Sequence, residues 1–286
     1  MFTKSNLLKD LLPYYHKKLG EIYDAHEIEQ MFFLMAFFLF KAEKIEVRTT
    51  EIRLTESELL TQRKIVSQLQ TGEPIQYILG KVEFYDLVLN VNPSVLIPRP
   101  ETAELVDLVL NRHTESSLNI IDIGTGSGCI PIALKGNRPS WHVSGIDVSD
   151  QALAVARKNA QLHNVDITWV SKNILASDQL IAERSDIIIS NPPYVLESDK
   201  SLMSNSVLNY EPHLALFVSD QQPLLFYDKI IELSKNQLNS DGYLYFEIHE
   251  SYGAAVDRCM RAAGFRNVSV IKDLQNKDRF VFGQLS

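Results

Sequence analysis

Residues 118–134 read LNIIDIGTGSGCIPIAL: an apolar run, three glycines at alternate positions, and a second apolar run. The first six residues have the length and composition of a buried strand, and residues 129–134 begin a helix. Between them lies Asp122-Ile-Gly124-Thr-Gly126-Ser-Gly128. Glycines at such a place let the backbone turn sharply and approach a ligand in the crevice outside the strand end. The dinucleotide fingerprint GxGxxG is absent, because position 129 is Cys. GxGxG after a strand is, on its own, almost as well explained by a structural turn.

Working outward, strands and helices alternate from about residue 100. Further strands are predicted over 143–148, 167–171, 186–190, 243–248, 268–271 and 280–283, and helices over 102–111, 150–163, 224–238 and 252–263. Such alternation predicts a mostly parallel sheet covered by helices on both faces. No repeat of 20–50 residues is present, which excludes a solenoid.

Upstream the character differs. Residues 1–75 read as helices only. Leu7, Leu8, Leu11 and Leu12 recur at helical spacing, Pro13 is predicted to break or kink the pattern, and further helices are expected over 27–43 and 56–69, the latter capped by Thr55. The run Met31–Phe40, MFFLMAFFLF, is about half of the roughly 20 residues a spanning helix needs. It is read as a buried bundle helix, with a partner-binding surface as the alternative, and neither a membrane segment nor a signal peptide is expected. Gly72-Glu73-Pro74 punctuates, and short β-rich runs at 77–79, 83–84 and 87–91 suggest a hairpin about Gly80. Asn92-Pro93 and Pro98-Arg99-Pro100 act as rigid turns. The expected organisation is a helical region 1–75, a hairpin connector 76–98 and an α/β domain 99–286.

Composition bounds the function. With 28 basic and 36 acidic residues the net charge is −8, which argues against a uniformly basic nucleic-acid surface, and 45% hydrophobic content excludes a disordered chain. Residues 1–75 hold 10 basic against 11 acidic side chains, so no basic recognition domain stands there. Cys129 and Cys259 offer no disulfide framework or zinc spacing, which suits a reduced, cytoplasmic setting. The seven histidines show no HxxxH or HxH spacing, and there is no GxSxG or P-loop, so no metal is expected.

Two more motifs carry chemistry. Asp147 ends the predicted strand after the glycines, where a carboxylate can accept from both hydroxyls of a ribose. A lone Asp there is otherwise a helix-start residue, but Ser149 and Asp150 already offer caps. With the glycines it points to an adenosine-containing ligand. Asn191-Pro192-Pro193-Tyr194 ends strand 186–190. Two prolines fix φ and remove two donors while keeping their carbonyls. Acceptors beside an aromatic plane suit a planar NH2 group; the plain alternative is a proline loop ending a strand. Glu247 and His249 are read equally well as crevice residues or as a solvated rim.

The combination of Asp122–Gly128, Asp147 and Asn191–Tyr194 resembles class I S-adenosylmethionine-dependent methyltransferases acting on exocyclic or amide nitrogen. With Glu73-Pro-Ile-Gln-Tyr-Ile-Leu-Gly80, Leu96-Ile-Pro-Arg-Pro-Glu-Thr102 and Tyr210-Glu211-Pro212, the resemblance is to the HemK/PrmC family of peptide chain release factor glutamine N5-methyltransferases. It implies a Rossmann-like, mostly parallel seven-stranded sheet behind a small N-terminal helical bundle that recognises substrate. It implies S-adenosylmethionine held by Gly124, Thr125, Gly126, Ser127, Gly128, Asp147, Asn173, Ile174 and Asn191. It also implies a glutamine held by Asn191, Pro192, Pro193 and Tyr194, with Arg99 and Glu211 beside it; Asn191, Pro192 and Tyr194 would be catalytic. Asn173-Ile174 stands where the family has an Asp–aromatic pair, and Ala103 where it has a second acid after the RPET segment. The implied partner is a class I release factor methylated on its GGQ loop by a monomeric enzyme, with no membrane or nucleic-acid partner. The alternatives are an adenine or guanine amino-methyltransferase and a non-catalytic binding module on the same fold.

Overall fold

The computed structural model describes residues 5–286, which form two compact units: the residues up to Lys81 with Ser204–Tyr210, and Val82–Met203 with Glu211–Ser286.

In the first unit a 3-10 turn, Leu8–Leu11, leads into α1 (Leu12–Leu19). Pro13 therefore begins a helix rather than breaking one, since its missing N–H falls in the first turn, where no intrahelical partner exists. Then come α2 (Ala25–Phe40), α3 (Lys44–Thr49), α4 (Glu56–Leu69) and α5 (Ile75–Leu79), with Asn205–Tyr210 (α9 in chain order) returning to this unit. Capping boxes start α2 at Asp24/Glu27 and α4 at Thr55/Glu58. Helical rotation splits the run Met31–Phe40 between two faces: Phe32, Met35, Ala36 and Phe38 are buried, while Leu39 is 42% exposed. Leu8, Leu11, Tyr15, Leu19 and Ile28 complete this core. Within it the Tyr15 hydroxyl donates to Gln62 Oε1 at 2.8 Å.

The hairpin differs from expectation. Residues 77–79 belong to helix α5, and Gly80 is its left-handed C-cap. The strands are β1 (Lys81–Phe84) and β2 (Leu87–Asn90), and the turn lies at Tyr85-Asp86, both at positive φ. A two-residue turn of that hand matches strand twist whatever its side chains, so the glycine upstream misdirects a reading by composition.

The second unit continues with α6 (Pro100–Arg112), β3 (Asn119–Ile123), α7 (Cys129–Asn137), β4 (His142–Asp147), α8 (Asp150–Leu162), β5 (Thr168–Ser171) and β6 (Ser185–Ser190). A short parallel pair, β7 (Val195–Leu196) and β8 (Phe217–Val218), flanks the loop region beyond β6. The chain ends in α10 (Leu225–Gln237), β9 (Leu238–Glu247), α11 (Gly253–Ala262), β10 (Phe265–Lys272) and β11 (Asp278–Leu285). Seven strands make one sheet in the order β10-β11-β9-β6-β3-β4-β5, parallel from β9 to β5 and antiparallel at β11 and β10. Ile120, Ile121, Ile187, Ile188 and Ile189 are at most 1% exposed, because parallel strands are covered on both faces. Burying each such side chain contributes about 1.5–3 kcal/mol. β9 starts five residues before its predicted strand: polar Asn239-Ser240-Asp241 pass along the sheet margin, where register shifts against β6.

Candidate active site

β3, β4 and β5 run to one side of the sheet, and β6 then pairs on the other flank of β3. The strand order reverses there, which opens a crevice at the carboxyl ends of β3 and β6. The glycine loop leaves β3 and the Asn191–Tyr194 loop leaves β6, so the topology brings the two motifs together. The Asn191 backbone carbonyl would lie 3.8 Å from a Cβ at Gly124.

Backbone bonds from Gly124 and Thr125 to the Ile146 carbonyl, at 2.8 and 3.0 Å, pin the glycine loop to β4. Gly126 donates to Asp147 Oδ2 and Ser149 to Asp147 Oδ1, each at 2.9 Å. Ser149 caps α8, as its side chain suggests, yet Asp147 is not thereby released. Its carboxylate clamps the loop and keeps only its remaining lone pairs for a ligand. Burial pushes the Asp147 carboxyl above the usual range, against the pull of these N–H donors. Gly126 and Gly128 both have positive φ, but for different ends. A Cβ on Gly126 meets nothing within 4 Å, whereas one on Gly128 meets the Trp169 ring at 2.9 Å. The first glycine exposes backbone to the crevice and the second closes packing. Beneath the loop Asp122 is 1% exposed, and burial pushes its carboxyl up to about 7.

A cavity of about 340 Å³ occupies the crevice, within the usual range of ligand pockets. Its wall includes Gly124, Thr125, Gly126, Ser127, Asp147, Asn173, Ile174, Asn191, Pro192, Pro193 and Arg99. Asn173 Oδ1 accepts from the Leu175 N–H at 3.0 Å, so that oxygen shapes its own turn. Apolar Ile146, Val148 and Phe226 complete a slot suited to a flat base. Three expected residues lie off the wall: Gly128, Tyr194 and Glu211. Glu211, 4% exposed, accepts from Arg99 at 2.6 Å and from the Ile97 N–H at 3.2 Å. It anchors the strap that carries Arg99 and presents no carboxylate oxygen to the cavity.

The Asn191 amide Nδ2 donates to Thr102 Oγ1 at 3.2 Å, which leaves Oδ1 as the amide's acceptor. Thr102 donates to Glu247 Oε2 at 2.7 Å, and the Tyr194 hydroxyl reaches Glu247 Oε1 at 3.3 Å. Glu247 is 1% exposed, so the solvated-rim reading fails. Burial pushes its carboxyl up to about 7 against the pull of Thr102 and Arg279. An acid at the carboxyl end of a parallel strand was the signal available, the same one that singled out Asp147. Burial pushes the Cys129 thiol up to about 12, which removes it as a nucleophile at neutral pH. Among the described residues no group of three His, Cys, Asp or Glu could hold a metal, and no helix is long and apolar enough to cross a membrane.

Residues 102–213 match the Methyltransferase small domain family. A methyltransferase from Pyrococcus furiosus superposes with a TM-score of 0.52 at 16% identity, covering 78% of this chain and 98% of that one. Fold and site together define a class I methyltransferase, for which S-adenosylmethionine is the methyl donor. A release factor glutamine methyltransferase of Flavobacterium psychrophilum is 43% identical over 280 residues, 96% of this chain and 98% of the relative. One of Bacteroides thetaiotaomicron is 40% identical over 269 residues, 94% and 96% of the two chains. This chain belongs to the release factor glutamine methyltransferase family.

Proposed function

We propose that this chain methylates the side-chain amide nitrogen of the glutamine in the GGQ loop of class I peptide chain release factors. Its relatives support the substrate, and the orientation of the Asn191 amide carries the chemistry: Nδ2 is taken by Thr102, and the carbonyl remains to accept. The crevice suits S-adenosylmethionine. Gly126 leaves open backbone, Asp147 supplies acceptor lone pairs for a ribose, and Ile146, Val148 and Ile174 face the cavity as apolar wall. When bound, that group supplies a methyl on a cationic sulfur, which needs no activation by the protein.

An amide nitrogen is a poor nucleophile, because its lone pair is delocalised into the carbonyl. Asn191 Oδ1 and the Pro192 carbonyl accept its two N–H bonds and turn the nitrogen toward the methyl group. Both oxygens also stabilise the positive charge that grows there. Tyr194 stands behind the loop with its hydroxyl on Glu247, where it supports Asn191–Pro193 rather than lining the cavity, and burial keeps its phenol protonated. One proton then leaves the nitrogen for water. Holding two reactants in this alignment replaces a bimolecular encounter, a gain that reaches about 10⁵ M or more in effective molarity. The N-terminal helices supply release-factor contacts, and the reaction belongs to the cytoplasm, where release factors act.

The test offers labelled S-adenosylmethionine together with purified release factor, total RNA and DNA. Label is expected in the release factor, and Asn191→Ala should lower that rate by about 10²–10³, the usual loss for one preorganised partner. Label in RNA or DNA alone would make this a nucleic-acid amino-methyltransferase instead.

A further inference from the structure

We propose that the buried Glu247 carboxylate, acting through the Thr102 hydroxyl, fixes which end of the Asn191 side-chain amide faces the crevice. The proposal rests on Asn191 accepting from the substrate amide, and adds what makes that acceptor face the right way. The oxygen and nitrogen ends of an Asn amide have nearly the same shape, so packing alone does not select one, and the hydrogen-bond network must.

A hydroxyl has one proton to donate. Thr102, 3% exposed, spends it on Glu247 Oε2 at 2.7 Å, so toward Asn191 it can only accept. Asn191 must then turn Nδ2 to Thr102, at 3.2 Å, and Oδ1 outward. Tyr194 donates to the other Glu247 oxygen at 3.3 Å. One carboxylate thus orders Thr102, and through it Asn191, while its other oxygen holds Tyr194 behind the loop. Protonating Glu247 reverses the chain: the acid donates to Thr102, the freed hydroxyl proton turns to Asn191, and the amide flips. Its NH2 would then meet the N–H bonds of the substrate, donor against donor.

The setting makes the switch accessible. The groups facing Glu247 are Glu101 on α6, Arg279 on β11, Tyr194 beyond β6, Tyr227 on α10 and Cys129 on α7, with His249 beyond β9 against the Tyr194 ring. Arg279 favours the carboxylate but is shared with Asp273 at 3.0 Å, while Glu101 and burial oppose it, which leaves the carboxyl near 7. The rate of methyl transfer should therefore rise with pH through that region, because only the ionised form holds Asn191 correctly.

Single-turnover rates on release factor test the relay. Thr102→Val keeps the shape and removes the hydroxyl, and should slow transfer about tenfold or more, roughly the worth of a hydrogen bond to a charged group. Its KM for S-adenosylmethionine should stay within about threefold, and Thr102→Ser should restore the rate. In an Asn191→Ala background, Thr102→Val should cost nothing further, since groups that act as a unit are not additive. Glu247→Gln can offer its carbonyl to Thr102 at any pH, so it should keep activity and lose the acidic limb of the rate profile. A wild-type rate for Thr102→Val beside an inactive Asn191→Ala, an additive double variant, or an unchanged acidic limb in Glu247→Gln overturns the relay alone. A wild-type rate for Asn191→Ala overturns both the relay and the substrate reading beneath it.

Discussion

Asp147 shows how one side chain serves structure and ligand together. Both of its oxygens hold backbone N–H groups of the loops beside them, Gly126 on one and Ser149 on the other. Replacing it removes a ribose acceptor and also frees the glycine loop. Asp147→Ala should weaken S-adenosylmethionine binding by about 1.5–3 kcal/mol, the range for hydrogen bonds to a charged group. Asp147→Asn keeps one acceptor oxygen and should fall between Ala and wild type. Calorimetric titration with the cofactor measures both, and an unchanged dissociation constant for Asp147→Ala would take this residue out of the ribose site. Glu211 and Glu247 teach the reverse lesson. Each is an acid of the second unit, but Glu211 is consumed by Arg99 and Ile97. Glu247 is buried behind the reacting loop, where it orders other side chains.

At the scale of elements, the turn from β3 into α7 separates two glycines that look alike in sequence. Gly128 begins α7 with φ +79°, and an added Cβ would meet Trp169 at 2.9 Å, Ala156 at 3.1 Å and Ile132 at 3.1 Å. Gly128→Ala combines a left-handed backbone, about 1–2 kcal/mol, with overpacking of about 1–3 kcal/mol. It should lower the melting temperature by several degrees. Gly126→Ala meets open space, so it carries the left-handed backbone cost alone, about 1–2 kcal/mol, and should lower melting less than Gly128→Ala does. Its methyl group would instead occupy cofactor room, raising the KM for S-adenosylmethionine. Thermal melts and initial rates on the two variants separate these roles. Equal melting temperatures with equal KM values would show that the loop does not divide its work in this way.

For the whole molecule, buried acids set how stability depends on pH. Asp122 and Glu247, both near 7, and Asp147, raised, bind protons in the folded state that the unfolded chain has already lost above about pH 4–5. With more protons bound folded than unfolded, stability falls as pH rises from about 4.5 to 7. Below about pH 4 the sign reverses: Asp273, lowered chiefly by the Lys277 N–H, must be protonated, and its contribution is lost. Calorimetric melting of the cofactor-free protein should therefore peak at about pH 4–4.5, below the range where Glu247 is ionised for catalysis. A melting temperature that climbs steadily to pH 7.5 would contradict this. The two compact units give a further expectation. Residues 82–286 contain the entire cavity wall, so that fragment, if it folds, should bind S-adenosylmethionine yet methylate intact release factor poorly. Full activity of the fragment would remove the N-terminal helices from substrate recognition.

The sequence by itself determined the parallel sheet, because apolar runs such as Ile187–Ile189 are dictated by burial on both faces and need no knowledge of their neighbours. It also placed the glycine loop, Asp147 and Asn191–Tyr194 at strand ends, since each motif is contiguous and its chemistry is local. The helix α4 and its Thr55 cap were legible for the same reason. Only the tertiary structure decided what those motifs face. Thr102, Asn191 and Glu247 lie 89 and 145 residues from one another along the chain, counted from Thr102, and meet because β6 and β9 pair in parallel and end side by side. The hairpin turn at Tyr85-Asp86 was hidden because its backbone is imposed by the twist of the paired strands, against the preference of its side chains. Periodicity and turn chemistry act over a few residues, and the sequence carries them openly. Which lone pair remains open on a buried side chain depends on every partner that folding brings to it.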